Sequence, residues 1–95
     1  MPDLTPAYTL LKMALGRTTV PAELEALLRA KCDQAAGELR RAGLSLDDGS
    51  PADNALIAAY AEWIYRRRNA EDPKPRALRD EIHSRQIART TGGTP

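Results

Sequence analysis

Phenylalanine is absent from this 95-residue chain, and its other aromatic residues are one tryptophan and three tyrosines. Isoleucine and valine are scarce as well. Because strands draw mainly on β-branched and aromatic residues, this composition does not suffice for a sheet of several strands. The chain has sixteen alanines instead, together with many leucines and arginines, and all three residue types are strong helix formers. The composition therefore predicts an all-α fold.

Cysteine and long apolar runs are also lacking. Cys32 is the only cysteine, so an intramolecular disulfide is excluded. Since no signal peptide is recognisable either, we expect folding in a reducing, intracellular compartment. No apolar run approaches the roughly 20 residues that a membrane-spanning helix needs. The length allows one domain at most, which we place at residues 1–89, followed by a flexible polar tail at 90–95.

Few residues are suited to catalysis or metal binding. Cys32 and His83 are the only residues of their types. A Cys–His nucleophilic pair needs adjacent side chains, but Cys32 lies at the edge of an apolar stripe and His83 on a polar helix face. A zinc site needs about four nitrogen or sulfur ligands, and the carboxylates lie in caps, turns and exposed faces. We therefore expect a protein that is not an enzyme, with no catalytic residue, cofactor or metal.

Prolines and glycines divide the chain into helical segments. Thr5 is the predicted N-cap of the first helix and Ser50 that of the third, with Asp53 at the capping-box position. Gly16 and Gly43 follow the first and second helices, where a left-handed glycine commonly ends a helix. The proline starts and the apolar spacing predict a small bundle of about four helices, at residues 6–15, 21–42, 51–68 and 75–89.

The third helix is the most hydrophobic segment and is expected at the centre of the bundle. Its predicted core stripe comprises Leu56, Ile57, Tyr60, Trp63 and Ile64. The opposite side has small residues and one tyrosine, a surface suited to contact with a second chain. We name this strip the small-residue face and predict a subunit interface there; it comprises Asn54, Ala58, Ala61 and Tyr65.

The fourth helix has little apolar surface of its own. Leu78 and Ile82 form its stripe, whereas Ile87 points the opposite way. Charge is uneven along the chain, with a net −2 over residues 1–60 and a net +3 over residues 61–95. We predict that this helix binds a partner through residues that we name the docking set: Arg76, Arg79, Arg85, Ile87 and Arg89.

The order of these segments resembles the head–tail connector (adaptor) proteins of tailed bacteriophages. The resemblance covers residues 8 to about 89, and its most telling part is Asp53-Asn54-Ala55-Leu56-Ile57 followed by Tyr60-Ala61 and Trp63. The other segments that carry it are Leu10–Leu15, Arg17–Thr19, Glu23–Leu39, Gly43-Leu44 and Arg76–Leu78.

Membership in that family implies an all-helical subunit without a cofactor. It implies a homo-oligomeric ring, expected to be twelve-fold, under the portal vertex of the capsid. The docking set would then reach the portal protein, and another surface would meet a downstream stopper or tail-completion protein. DNA would be contacted only non-specifically in passage, and no membrane would be bound. The protein would be assembled in the host cytoplasm and reside in the virion at the head–tail interface.

An alternative is a small helical intracellular protein that binds nucleic acid or has a regulatory role. The run Arg66-Arg67-Arg68 suits phosphate contacts. The charge excess is small and no recognition helix is evident, so the connector interpretation is preferred. A small enzyme is the weakest alternative because no site is evident.

Overall fold

Four α-helices make up most of the chain. The computed structural model describes residues 3–47, 49–67, 69 and 71–92, and it has no strand among them. The helices are α1 (Thr5–Ala14), α2 (Ala22–Arg41), α3 (Pro51–Arg66) and α4 (Arg76–Gly92). The predicted all-α class is confirmed. The last helix continues beyond its predicted end at residue 89, and residues 93–95 of the predicted tail lie outside the described residues.

Glycines end the first two helices as predicted. Gly16 and Gly43 have φ angles of +73° and +97°, a left-handed conformation that costs glycine little. The Gly43 N–H donates to the Arg40 carbonyl at 2.9 Å, and the Leu44 N–H donates to the Leu39 carbonyl at 3.1 Å. This is the Schellman arrangement, which is often accompanied by an apolar contact across the helix end. Leu44 is accordingly buried in the core.

Of the two predicted N-caps, Ser50 is confirmed and Thr5 is not. Ser50 caps α3 as expected, because its Oγ accepts a hydrogen bond from the Asp53 N–H at 3.3 Å. The prediction for Thr5 is wrong, since Thr5 is already the first residue of α1. Its N–H donates to Asp3 Oδ1 at 3.0 Å, so the capping oxygen comes from two residues earlier.

The core forms around α3, which packs against both α1 and α2 and at fewer points against α4. All five residues of its predicted stripe are buried, and Trp63 is only 8% exposed. Tyr8 also joins the core, although the sequence pattern did not single it out. The other buried apolar residues are Ala7, Leu11, Leu28, Cys32, Ala35, Ala36, Leu39, Leu44, Ala58, Ala61 and Leu78.

Two cations cover the outer face of Tyr8. Arg29 Cζ lies 4.3 Å from the centre of the Tyr8 ring, and Lys12 Nζ lies 5.4 Å from it. The Arg29 guanidinium also donates to Glu25 at 3.0 Å. Long basic side chains can cover an aromatic ring while their charged groups stay in water. Lys12 and Arg29 thus help to shield the Tyr8 ring from solvent.

Candidate assembly surfaces

The small-residue face is turned into the protein and not outward. Asn54, Ala58 and Ala61 are 4%, 5% and 0% exposed, and Tyr65 is half-buried. The premise that this strip is available to a second chain is therefore wrong. A subunit contact here would have to displace part of the chain's own packing.

Helix α3 is covered on two sides, which explains the error. Asn54 lines the same surface depression as Pro6 and Leu10 of α1, and both α1 and α2 pack against α3. The sequence pattern assumed one packed face and one solvent face. A helix that carries apolar residues around most of its circumference is instead buried on most of it.

The exposed arc of α3 lies elsewhere and forms one wall of a groove. The opposite wall is the beginning of α4, and the space between them is about 470 Å³. We name it the alanine groove, because its exposed walls are mostly alanine: Ala52, Ala55 and Ala59 on α3 and Ala77 on α4, with Leu56 and Leu78 beneath. Glu62 on α3, Pro75 before α4, and Glu81 and Arg85 on α4 also line it.

A set of polar contacts, which we name the polar clamp, joins α4 to the rest of the chain. The Arg85 guanidinium donates to Asp53 Oδ1 and, at 2.7 Å, to Glu81 Oε2. The Gln86 side chain donates to the Ala42 carbonyl at 2.9 Å. Among the described side chains of α4, Leu78 is buried in the core and Ile82 is half-buried against it. Helix α4 is thus held by few apolar contacts and a small number of directional bonds.

The electrostatics of the polar clamp favour the ionised pair. Burial by itself would raise the pKa of Asp53, but the hydrogen bond from Arg85 and the one from the Asp47 N–H outweigh it and lower that pKa. The hydrogen bond to Asp53 also raises the pKa of Arg85. The side chains of Arg85 and Asp53 are 23% and 13% exposed, so their attraction is screened less than that of a surface pair.

The docking set is divided by this arrangement. Arg85 is engaged inside the chain, so its prediction as a contact for a partner is corrected. Arg76 and Arg79 are exposed, and Arg76 Nε lies 3.7 Å from an Asp80 oxygen in a pair that is largely in water. Ile87 is 50% exposed, as expected for a residue that points away from the bundle. The side chain of Arg89 lies outside the described residues.

An aromatic–cation cluster lies where α3 meets the loop before α4. The rings of Tyr60 and Trp63 meet edge to face, with their centres 5.4 Å apart. Lys74 Nζ lies 4.6 Å from the Trp63 ring centre, and Arg67 Cζ lies 4.7 Å from it. The indole N–H of Trp63 donates to the Pro73 carbonyl at 3.2 Å. The cluster therefore anchors the loop that leads into α4.

The hydroxyl of Tyr60 connects this cluster to α2. It donates to Glu38 Oε1 at 2.9 Å. Burial and this hydrogen bond raise the pKa of Tyr60 to about 12. Burial would also raise the pKa of Glu38, but hydrogen bonds from Gln34 and Tyr60, with the nearby Arg67 and Arg41 cations, lower it overall. The arrangement is a satisfied hydrogen-bond network with a local excess of positive charge.

The two residues considered for catalysis lie in different environments. Cys32 is fully buried, and burial raises the pKa of its thiol to about 11, whereas His83 is exposed on α4. Within the described residues, no group of three or more His, Cys, Asp or Glu side chains is arranged to hold a metal ion. Over the same residues, no helix combines the length and apolar character needed to cross a membrane.

No protein-family model, curated protein or solved structure matches this chain. The resemblance to head–tail connectors therefore rests on the order and character of the sequence segments. To this resemblance the structure adds the positions of the small-residue face, the alanine groove and the docking set.

Sequence reasoning missed the alanine groove, although a signal was present. Ala52, Ala55 and Ala59 are spaced by three and four residues, which places them on one side of α3. The same spacing connects Asn54, Ala58 and Ala61, which the structure buries. The helix therefore carries two small-residue strips, and the pattern alone does not tell which of them the neighbouring helices cover.

Proposed function

We propose that this chain is a head–tail connector (adaptor) subunit of a tailed bacteriophage, which forms a ring between the portal and downstream tail-completion proteins. The proposal assigns it a structural role with no catalytic step and no cofactor. It would act in the virion, at the head–tail interface, by helix packing between subunits. Its support is the resemblance over residues 8 to about 89, together with a fold class that agrees with what this resemblance implies.

The observation that carries the proposal is the incomplete packing of α4. This helix buries Leu78 and half-buries Ile82, leaves Ile87 half exposed and stands beside an open apolar groove. A small domain that leaves apolar surface next to a weakly attached helix gains stability when a neighbour covers it. Such a surface suits a subunit that is completed by assembly better than a protein that acts alone.

The first experiment measures the mass of the purified chain, alone and mixed with the portal protein encoded by the same genome. Sedimentation velocity and negative-stain microscopy should show a discrete ring on the portal, and larger species than a monomer as concentration rises. A chain that stays monomeric in both settings would contradict the proposal.

A second experiment locates the surface that contacts the portal. Within the docking set, Arg76, Arg79 and Ile87 are the exposed candidates. Deleting residues 87–95 retains the polar clamp, since Arg85 and Gln86 precede the cut. We expect the shortened chain to keep its circular dichroism signal per residue and to lose binding to portal-bearing capsids.

The matched control removes only residues 93–95, which follow α4. This variant should bind capsids as the full chain does if the last turns of α4 make the contact. If the longer deletion also binds normally, the contact lies elsewhere, and the loop at residues 69–74 is the next region to test.

The alternative function, binding of nucleic acid, has one observation in its favour. Arg41 and Arg67 both lie near Tyr60 and Glu38, and Lys74 lies against the same aromatic pair. These cations come from two helix ends and a loop and could meet phosphates together. We expect weak duplex binding without sequence preference that falls steeply with salt. Sequence-selective binding of a labelled duplex near physiological salt would favour this alternative over the connector.

A further inference from the structure

We infer that the alanine groove is the surface that receives a neighbouring copy of this chain, through the exposed apolar residues of that copy's α1 and α2. This inference rests on the homo-oligomeric part of the proposed function and specifies the contact. It also replaces the small-residue face as the candidate subunit interface, since that face is buried within the subunit.

The shape of the groove is the first argument. Between the charged side chains of its lining, its exposed walls carry only alanine and Pro75, so an approaching helix can come close to the backbones of α3 and α4 there. A volume of about 470 Å³ accommodates several large apolar side chains. Leu56 and Leu78 beneath the walls give such side chains apolar surface to contact. The groove is thus complementary to a helix that presents long hydrophobic residues.

The chain itself presents exposed large hydrophobic residues, two of them on helices that do not form the groove. Among the described residues, the exposed large hydrophobics are Met13 on α1, Leu27 on α2 and Ile87 on α4, at 65%, 43% and 50% exposure. Ile87 points away from the bundle on the helix that forms one groove wall. Met13 and Leu27 belong to the first two helices, which do not line the groove. One copy can therefore offer these two residues to the groove of the next.

Charge complementarity favours Met13 as the centre of the contact. Residues 4–22 contain no acidic residue, and Lys12 and Arg17 flank Met13. The groove carries Glu62 and Glu81 on its two walls, with side chains 32% and 51% exposed. Arg85 also lines it, but its side chain is only 23% exposed and is paired with Asp53 and Glu81. Each glutamate has an arginine partner within its own helix, yet both stay accessible to a second cation. A basic apolar segment and a groove with carboxylates on its walls attract each other and align on approach.

The two surfaces differ, so the contact is heterologous. Each copy contributes α1 and α2 to one neighbour and α3 and α4 to the other, and repetition of this contact generates a closed ring or an open filament. The contact also places a neighbour against α4 at its weakly packed side. The neighbouring copy would thereby cover the apolar surface that a single subunit leaves exposed in the groove.

The first test blocks the groove. Ala55→Arg places a long cation on its exposed wall, whereas His83→Arg adds the same side chain to a part of α4 that does not line it. Both positions are exposed, so both variants should fold as the wild type does, checked by circular dichroism and melting temperature. We expect A55R to weaken self-association in sedimentation velocity by at least about ten-fold, and H83R to leave it unchanged.

The second test exchanges charges across the contact. Glu62→Lys and Arg17→Glu should each weaken self-association, and the double variant should recover at least part of the loss. The inference is overturned if A55R associates as the wild type does, or if the double variant is no better than the single ones. A wild-type chain that remains monomeric at all concentrations also overturns it.

Failure of this contact is distinguishable from failure of the connector proposal. If wild type and A55R form the same complexes with the portal protein, the groove assignment is wrong and the connector proposal stands. If the chain self-associates through the groove but does not bind the portal protein, the groove assignment stands and the connector proposal is wrong.

Discussion

Trp63 offers the sharpest test of how this small domain is held together. It is 8% exposed, packs edge to face on Tyr60 and donates its indole N–H to the Pro73 carbonyl. Lys74 and Arg67 lie against the ring from the loop side. Trp63→Ala removes all of these contacts at once, and it loosens the loop that leads into α4.

The size of the effect follows from the buried surface. A buried aromatic side chain removes about 150–250 Å² from water, which corresponds to about 4–6 kcal/mol at 25 cal/mol per Å². Because the unfolded chain already covers part of that surface and alanine retains some of it, we expect a loss of about 3–5 kcal/mol in the free energy of unfolding. A domain of this length has a total of about 5–14 kcal/mol. The variant should therefore be marginally folded.

The measurement is urea unfolding followed by far-ultraviolet circular dichroism, since Trp63 is the only tryptophan and its fluorescence disappears with it. Trp63→Phe keeps one aromatic ring but removes the N–H donor and part of the indole, so it should lower the free energy of unfolding by less than Trp63→Ala does, about 1–3 kcal/mol. Met13→Ala, at a side chain 65% exposed, serves as the control and should change stability by less than about 0.5 kcal/mol. A loss below about 1 kcal/mol for Trp63→Ala would refute the packing described here.

Three further predictions follow from the polar clamp, the core and α3. Because the pKa of Asp53 is lowered in the folded state from its ordinary 3.8, its contribution to stability is present above that value and is lost as pH falls through the folded pKa. Asp53→Asn should lower the free energy of unfolding by about 1–3 kcal/mol at pH 7 and by progressively less below about pH 4, measured by urea unfolding at each pH. A difference between variant and wild type that does not depend on pH would contradict this. Cys32 is fully buried with its pKa raised to about 11, so a thiol reagent at pH 8 should react with it only after unfolding, and rapid reaction of the native chain would show that it is accessible. Ala58→Arg should prevent folding, because that position is 5% exposed, whereas Ala55→Arg on the exposed arc should stay within about 0.5 kcal/mol of wild type; equal melting temperatures would place Ala58 at the surface.

In the proposed self-association, the polar clamp and the alanine groove would act together on α4. The clamp fixes the middle of the helix by directional bonds from Arg85 and Gln86. Of its described side chains, the large apolar ones that pack on the core are Leu78 and Ile82, and the groove beside them stays open. A neighbour that fills the groove would add the apolar contact that α4 lacks. Binding and the local stability of α4 would then be coupled through the same residues.

Local signals in the sequence were sufficient for the helices and for much of the core. The stripe from Leu56 to Ile64 depends on a spacing of three and four residues, and the helix ends at Gly16 and Gly43 depend on a left-handed residue directly after each helix. Ser50 likewise caps a helix that begins beside it. All of these features are determined within one or two turns, so they can be read without knowing which elements later meet.

The tertiary structure alone decided which side of each helix stays open. Ala58 and Ala55 have the same residue type on the same helix, yet α1 and α2 leave the first buried and the second exposed. Arg85 was expected to face a partner but meets Asp53, which lies 32 residues earlier in the chain. The physical reason is that burial and ion pairing depend on contacts between distant segments. A periodic pattern identifies the strips that can be buried, and the packing of the other helices selects among them.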